Sequence, residues 1–517
     1  LGVPAKGEMD DSLRFSLTRR PAPYDLASPM HIAFVSDIGS AWDKVMFQIA
    51  RWLARHLDDP RLVIWIVEQG GSLHAAWRQL IEREIERFSS LERDGKFEEI
   101  ATVRSHSPNA VPGKLMRVLW GVLLGNRVKR RAQGLDFYRW KRAFRRDGLT
   151  TMLRLELREL LAPKVVINRP YRWNYDAREE KGEPSHIRQL VNYEVVLASD
   201  HVRSALHDLS DQSWTLSLPK LLGEFQRLLI DALDLLRELG DADDYRDRSH
   251  WDMPSIGPHW QNRGFHDWVS LIELLRDAWL AVLSTDKSHA SRIAESWFDM
   301  PYPTFKRLAF FAASHEGCIK PENWVDWLAY DDAWWLWSYD TRREMLRLLV
   351  LQGKAISGVS KKLLEATILE GPPRKMFRND IVNAQWREQV DREVWLRLAK
   401  LEKSGCMLGN DAARRLTQLS KAYPDWRLAE NERDEFSHWM SGTGDPDYES
   451  SVVTDVAPRR REDLVRWLVK SRPEGRSFYE DTWRDVCRTR FFHSALALYD
   501  LSQDDKWPST RWSQAFE

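Results

Sequence analysis

The stretch with the most evident chemistry is the run 125–148, GNRVKRRAQGLDFYRWKRAFRRDG, which carries nine basic residues against two acids. Arg127, Lys129, Arg130, Arg131, Arg139, Lys141, Arg142, Arg145 and Arg146 are interleaved there with Phe137, Tyr138, Trp140 and Phe144. Clustered cations attract phosphates or an acidic protein surface, and aromatic faces can stack on bases. Phe137, Trp140 and Phe144 are also helix-spaced, a pattern that buries the rings and leaves the arginines solvated or docked. The candidate partner-contact set is Arg127, Lys129, Arg130, Arg131, Arg139, Trp140, Arg142, Arg145 and Arg146.

Two other constellations are weaker. His250, His259 and His266 lie among Asp247, Asp252 and Asp267, but structural metal sites space their ligands more tightly, so these residues read as a polar loop. Glu322, Asp326, Asp331, Asp332 and Asp340 fall among tryptophans. A glycosidase pairs an acid and a base across such a tryptophan-floored cleft, yet solvated helix ends explain the same residues. No GxxxxGK[ST] loop occurs, and no GxGxxG sits between a strand and a helix. Cys318, Cys406 and Cys487 are far apart and match neither a zinc spacing nor CxxC. The sequence therefore assigns no catalytic, cofactor-binding or metal-binding residue, and predicts a chain without enzymatic activity of its own.

Charge does not select a partner. Lysine plus arginine is 77 and aspartate plus glutamate is 77, so any electrostatic contact must be local. The excess of tryptophan, 26 residues, reads mainly as bulky filler between helices, with a minority acting as recognition anchors. No apolar run has the length of a membrane span, and the start LGVPAKGEMDD has no signal-peptide pattern, so a cytoplasmic chain without membrane association is expected. The missing initiator methionine suggests a processed product or a piece of a longer polypeptide, the piece being favoured.

The elements that must position these residues are mostly helical. Trp268, Ile272, Leu275, Trp279 and Val282, with Phe265 before them, recur at helix-face spacing, which predicts that Trp268 and Trp279 are buried. A second short helix follows from about His289 to Phe298, and a third starts near Thr304 after Pro301 and Pro303. A strong helix is expected from Pro219 to near Leu239, short strands at Val165–Ile167 and Tyr193–Leu197, and an exposed loop over Glu92–Pro112. Thr341 and Glu344 have capping-box spacing. The fold class is predominantly all-α, an irregular HEAT- or TPR-like helical-repeat stack with a few short strands. Its expected parts are a linker or docking arm (1–30), an N-terminal helical-repeat region (31–240) holding the basic segment 125–148, and a boundary loop (241–262). A tryptophan-rich central region (263–440) and a C-terminal loop with short helices near Leu464–Val469 and Tyr479–Arg488 (441–517) complete the chain.

The blocks GFHDWVSLIELLRDAW, WFDMPYPTFKRLAFFAAS and WVDWLAYDDAWWLW resemble a helical domain that follows sirtuin-like NAD-hydrolysing domains in bacterial anti-phage defence proteins. The likeness covers about residues 30–430 and is strongest over 262–380. It implies a C-terminal sensor and autoinhibitory region that binds a phage protein or other invader-derived trigger and contacts its own N-terminal effector domain, with self-assembly as a further partner. NAD would be the substrate of that companion domain and not a cofactor of this chain. No residue here matches the family's enzymatic positions. A nucleic-acid-binding helical scaffold using residues 125–148 is the alternative.

Overall fold

The computed structural model describes residues 49–73, 75–129, 135–170, 184–207, 209, 211–264, 266–440, 445, 453–470 and 479–516. The expected arm 1–30 and Phe265 lie outside them. Two units form: the described residues up to Leu428 with Glu435–Ser437, and Ala429–Asp434 with the described residues from His438 onward.

The first unit begins with helices α1 (Pro60–Glu68), α2 (Ala75–Arg93), α3 (Phe97–His106) and α4 (Lys114–Leu124). Then come α5 (Asp136–Asp147), α6 (Thr151–Leu160), strand β1 (Pro163–Asn168), strand β2 (Asn192–Leu197), α7 (Val202–His207) and α8 (Gln212–Glu238). The central helices are α9 (Ser270–Thr285), α10 (Lys287–Asp299), α11 (Pro303–Ala313), α12 (Pro321–Trp337) and α13 (Arg342–Gln352). Helices α14 (Gly358–Glu370), α15 (Asn383–Lys403) and α16 (Asn410–Ala422) complete this unit. The architecture is predominantly helical, and the two expected strands form one antiparallel pair with Val165 opposite Val195.

The helix-spaced rings do what their periodicity predicts. Trp268 and Trp279 are 1% and 0% exposed, and their indole N–H groups donate to Asp252 and to the Ala290 carbonyl at 3.0 and 2.9 Å. α8 packs along α9, α9 on α10, α10 on α11 and α11 on α13.

Four expectations about this first unit need correction. α8 starts at Gln212, seven residues before Pro219, because the Asp211 carboxylate caps it by accepting from the Trp214 N–H at 2.9 Å. Pro219 is tolerated because the carbonyl it leaves unpaired, four residues back at Thr215, belongs to an exposed residue. The polar stretch Glu92–Pro112 is not all loop. α3 forms in it with Glu98 and Glu99 in its first turn and Arg104 and His106 in its last, and needs only Ile100 inward, beside Phe88 and Val111. The stretch 241–262 is no boundary. It lies within the first unit with Met253 and Ile256 buried, and the chain divides at 429–438 instead. Thr341 and Glu344 form no capping box: Thr341 donates to the Trp335 carbonyl, and Glu344 is committed elsewhere, as described below.

The second unit holds β3 (Val453–Asp455) and β4 (Tyr479–Asp481), paired in parallel, and helices α17 (Arg461–Val469), α18 (Trp483–Thr489), α19 (Phe491–Gln503) and α20 (Ser509–Phe516). Tyr479, expected to open a helix, is therefore in a strand. Its own core gathers Leu464, Trp467, Trp483, Leu498 and Leu501.

Candidate functional site

The described residues of the basic run divide between the interior and solvent. α5 turns Phe137, Trp140 and Phe144 inward, each 0% exposed. Trp140 stacks on Phe144 at 5.3 Å, meets Trp214 edge-on at 6.2 Å and donates its N–H to the Leu153 carbonyl at 2.8 Å. It is removed from any partner-contact surface, because an enclosed ring with a satisfied N–H has nothing left to offer. Lys141 is buried and donates to the Ala205 carbonyl at 2.6 Å. Lys129 pairs with Asp200 at 2.5 Å, and its backbone N–H donates to the Val165 carbonyl. The Arg127 carbonyl accepts from the Val165 N–H at 2.7 Å. Arg145 approaches Asp211 at 3.7 Å, Arg139 pairs with Asp136 at 3.4 Å and Arg146 with Asp147 at 2.7 Å. Arg142 is exposed, and Arg130 and Arg131 lie outside the described residues.

The three histidines do not converge either. His250 faces Asp340 at 3.1 Å, His259 lies against the Phe436 ring, and His266 meets Glu194 at 3.0 Å and Asp252 at 3.5 Å. The hydrogen bond to Glu194 raises the His266 imidazole above its usual range, against the effect of burial. Among the described residues no group of three His, Cys, Asp or Glu side chains is placed to hold a metal ion. The three cysteines are free thiols, and burial pushes each above the usual thiol range.

The stretch around His250 is instead clamped from within. Arg307, 0% exposed, donates to both oxygens of Glu344 at 2.8 and 3.2 Å, to Ser249 Oγ at 3.1 Å and to the Met253 carbonyl at 2.9 Å. Glu344 also accepts the Ile256 N–H at 2.7 Å, while Asp247 accepts the Thr304 N–H and hydroxyl, both at 2.7 Å. A buried guanidinium is tolerated when its donors are taken up in this way.

The clamp is tied through the Asp247 N–H, which donates to Asp340 at 3.3 Å, to a cleft of about 650 Å3 that Asp340 lines. α12 breaks where Asp331, Asp332 and Ala333 take left-handed backbone angles of +53°, +53° and +59°, and the turn delivers Trp334 and Trp337 to the cleft. Non-glycine residues hold such angles only where the surroundings impose them, and they gather at functional sites. Tyr339 follows from the α12–α13 corner, and Met376, Phe377 and Ile381 come from the segment before α15. Gln385 and Gln389, one helical turn apart on α15, add amide donors and acceptors at the exposed rim. Among the described residues, neither the Trp334 nor the Trp337 indole N–H meets an acceptor, although both atoms are shielded from solvent.

Each charged residue of the lining has a polar side-chain partner. Arg246 pairs with Asp243 at 3.2 Å, Arg378 with Asp380 at 2.6 Å and Asp340 with His250. Glu393 sits between Arg342 at 2.8 Å and Arg397 at 2.6 Å. Burial would raise the Glu393 carboxyl, but the two guanidiniums outweigh it and push the group down to about 2. Arg397 lies 4.2 Å from the Trp337 ring centroid and donates twice to the Leu336 carbonyl, fixing that side of the wall. Of the five carboxylates picked out among the tryptophans, only Asp340 lines the cleft; Asp332 pairs with Lys375, and Glu322 and Asp326 are exposed.

No protein-family model, curated protein or solved structure matches this chain. The cleft must be read on its own geometry. Sequence reasoning missed Phe377, Gln385 and Glu393, which gave no local signal because they become neighbours of the tryptophans only through packing. Arg307 did give one: with Lys306 it forms an adjacent pair of cations in the otherwise apolar run TFKRLAFFAA.

Proposed function

We propose that this chain is a protein-recognition module whose Trp334–Trp337 cleft holds an apolar or aromatic side chain of its partner. The supporting observation is an aromatic-walled cavity in which Glu393 is held between two arginines while two rim amides stay open to a neutral ligand. Ligand sites of this size join an apolar wall to a few polar groups that fix orientation. Tryptophan and tyrosine are the residues that most often anchor such contacts. The proposal is binding rather than turnover. A general acid must be protonated near working pH, and Glu393, held at about 2, is an arginine-bound carboxylate.

The sequence resemblance supplies the setting of this reading. The chain acts in the cytoplasm as the sensing and autoinhibitory region of a bacterial anti-phage protein, with its helix pairs serving as a HEAT- or TPR-like array. An invader-derived protein is the trigger, and a neighbouring sirtuin-like domain depletes NAD when the trigger binds. Activation is then a population shift, because the trigger favours the active arrangement. The basic run gives no comparable support to a nucleic-acid scaffold, since Lys129, Lys141 and Arg145 are engaged with groups of the fold itself.

The test is selection of a random-peptide display library on the purified chain. The expected result is enrichment of peptides with a central aromatic or large aliphatic residue, whose binding is lost in Phe377→Asp and retained in a variant with Arg139, Arg142 and Arg146 changed to glutamate. Enrichment of acidic peptides that depend on the arginines, or peptides indifferent to Phe377→Asp, would contradict the reading.

A further inference from the structure

The second unit carries an apolar surface that its own core does not use. On α19, Ser494, Ala497, Leu498 and Leu501 face inward. Phe491, Phe492, Leu496 and Tyr499 are 66%, 81%, 45% and 58% exposed, and Ala495 is exposed between them. Positions 492, 495, 496 and 499 follow the three-and-four spacing of one helix face, so these residues form a stripe and not scattered exposures. The Phe491 and Phe492 rings meet edge-on at 5.6 Å and extend the stripe at its N-terminal end. A lone exposed leucine needs no explanation, but a contiguous apolar patch of several hundred Å2 marks an interaction surface.

The charges at the two ends say what fits it. Arg488 and Arg490, both exposed, stand just before the stripe, and Asp504 and Asp505, also exposed, stand just after it. Asp504 meets Lys506 at 3.3 Å with both side chains more than half exposed, a contact worth little in water. Asp505 accepts from the Trp507 indole at 3.0 Å and keeps its negative charge. The stripe is centred on Leu496: Phe492 lies four residues before it and Tyr499 three after, Arg488 eight before and Asp504 eight after.

We propose that α19 pairs antiparallel with α19 of a second copy of this chain. In that arrangement Leu496 lies at the two-fold axis, Phe492 of each copy meets Tyr499 of the other, and the arginine end of each helix meets the aspartate end of the other. A two-fold contact uses the same patch on both subunits and so must be self-complementary, which the positive N-cap residue Arg490 and the negative C-cap residue Asp504 of α19 provide. Antiparallel packing also sets the positive end of each helix dipole beside the negative end of its neighbour. Large side chains exposed to this extent leave roughly 450 Å2 of coverable surface per copy, or about 900 Å2 for the pair. That lies below the range of stable interfaces and in the class of weak, transient contacts, so the dimer is expected to be weak, with Kd on the order of micromolar.

The pairing does not depend on the cleft, and its test keeps the two readings apart. Sedimentation equilibrium of the whole chain should show a monomer of 60.7 kDa in equilibrium with a species of twice that mass. Phe492→Glu with Leu496→Glu, both at exposed positions, should raise Kd at least about tenfold without changing the thermal midpoint. The decisive variants reverse charge. Arg488→Asp with Arg490→Asp should weaken the dimer, as should Asp504→Arg with Asp505→Arg, and the four substitutions together should restore it. Phe377→Asp should leave the dimer intact. A chain that stays at 60.7 kDa up to about 100 μM, well above the expected Kd, overturns the pairing whatever else covers the stripe. So does a dimer indifferent to the stripe substitutions, or one that the combined charge exchange fails to restore.

Discussion

Trp140, flanked by arginine and lysine in sequence, and Trp337, at the end of the run WWLW, are both largely buried helical rings with opposite surroundings. Trp140 has aromatic neighbours on several sides, no exposure, and an N–H taken up by the Leu153 carbonyl. Trp337 has a guanidinium over one face, an open cleft beside it and an N–H without an acceptor among the described residues. The first ring is spent on stability; the second forms part of an open wall. The useful distinction in a tryptophan-rich chain is therefore the state of the indole donor and the space beside the ring, and not the residues that flank it in sequence.

The comparison breaks most visibly in stability. Trp140→Ala should cost about 3–5 kcal/mol, the range for truncating a fully packed large ring, read as a shift in the urea midpoint. Phe377→Ala, at the half-buried cleft wall, should cost under about 1.5 kcal/mol because water already reaches that side chain. Equal losses at the two positions would erase the distinction. A loss of similar size to the first, about 3–5 kcal/mol, is expected for Arg307→Ala, which leaves the Glu344 carboxylate buried without its partner.

Acid sharpens the same comparison. The Glu393 carboxyl is ordinary at 4.5 when unfolded and near 2 when folded, so its stabilisation is complete above pH 4.5 and lost as pH falls towards 2. The full effect is on the order of 3 kcal/mol. Glu435 behaves oppositely: burial raises it, and Lys400, Arg343 and Arg347 only partly offset that. Glu393→Gln should flatten the fall in stability between pH 4.5 and 2, whereas Glu435→Gln should leave that fall in place. An unchanged acid slope in Glu393→Gln would mean that the two guanidiniums do not hold the charge as the geometry implies.

The smallest effect belongs to the outward face of α5. Changing Arg139, Arg142 and Arg146 to glutamate should move stability by less than about 0.5 kcal/mol per site, since their contacts are solvent-exposed. A collapse of the fold in that variant would show that these arginines dock internally as Lys141 does.

Much of the fold was legible because helices announce themselves by period. The inward faces of α9 and α5, and the strands at Val165–Ile167 and Tyr193–Leu197, follow from spacing and β-branched content. Errors arose where polar residues act in the interior. Glu344 has the local look of a cap but serves Arg307 and Ile256, and the histidine-bearing stretch before Asn262 looks solvated but is held by buried hydrogen bonds. Period also cannot show convergence. Trp334 and Phe377 are 43 residues apart and share a cleft only because α12 breaks at Asp331–Ala333. Nothing in the local sequence separated these tryptophans from the core ones.

The central claim is that recognition resides in the cleft and not on the basic helix, and one photo-crosslinking measurement compares the two directly. Benzoylphenylalanine is placed at Tyr339 in one protein and at Arg142 in another, both exposed positions, and each is irradiated with a peptide selected on the unmodified chain. The account predicts an adduct from Tyr339 that Phe377→Asp abolishes, and none from Arg142. An adduct from Arg142 alone would contradict it.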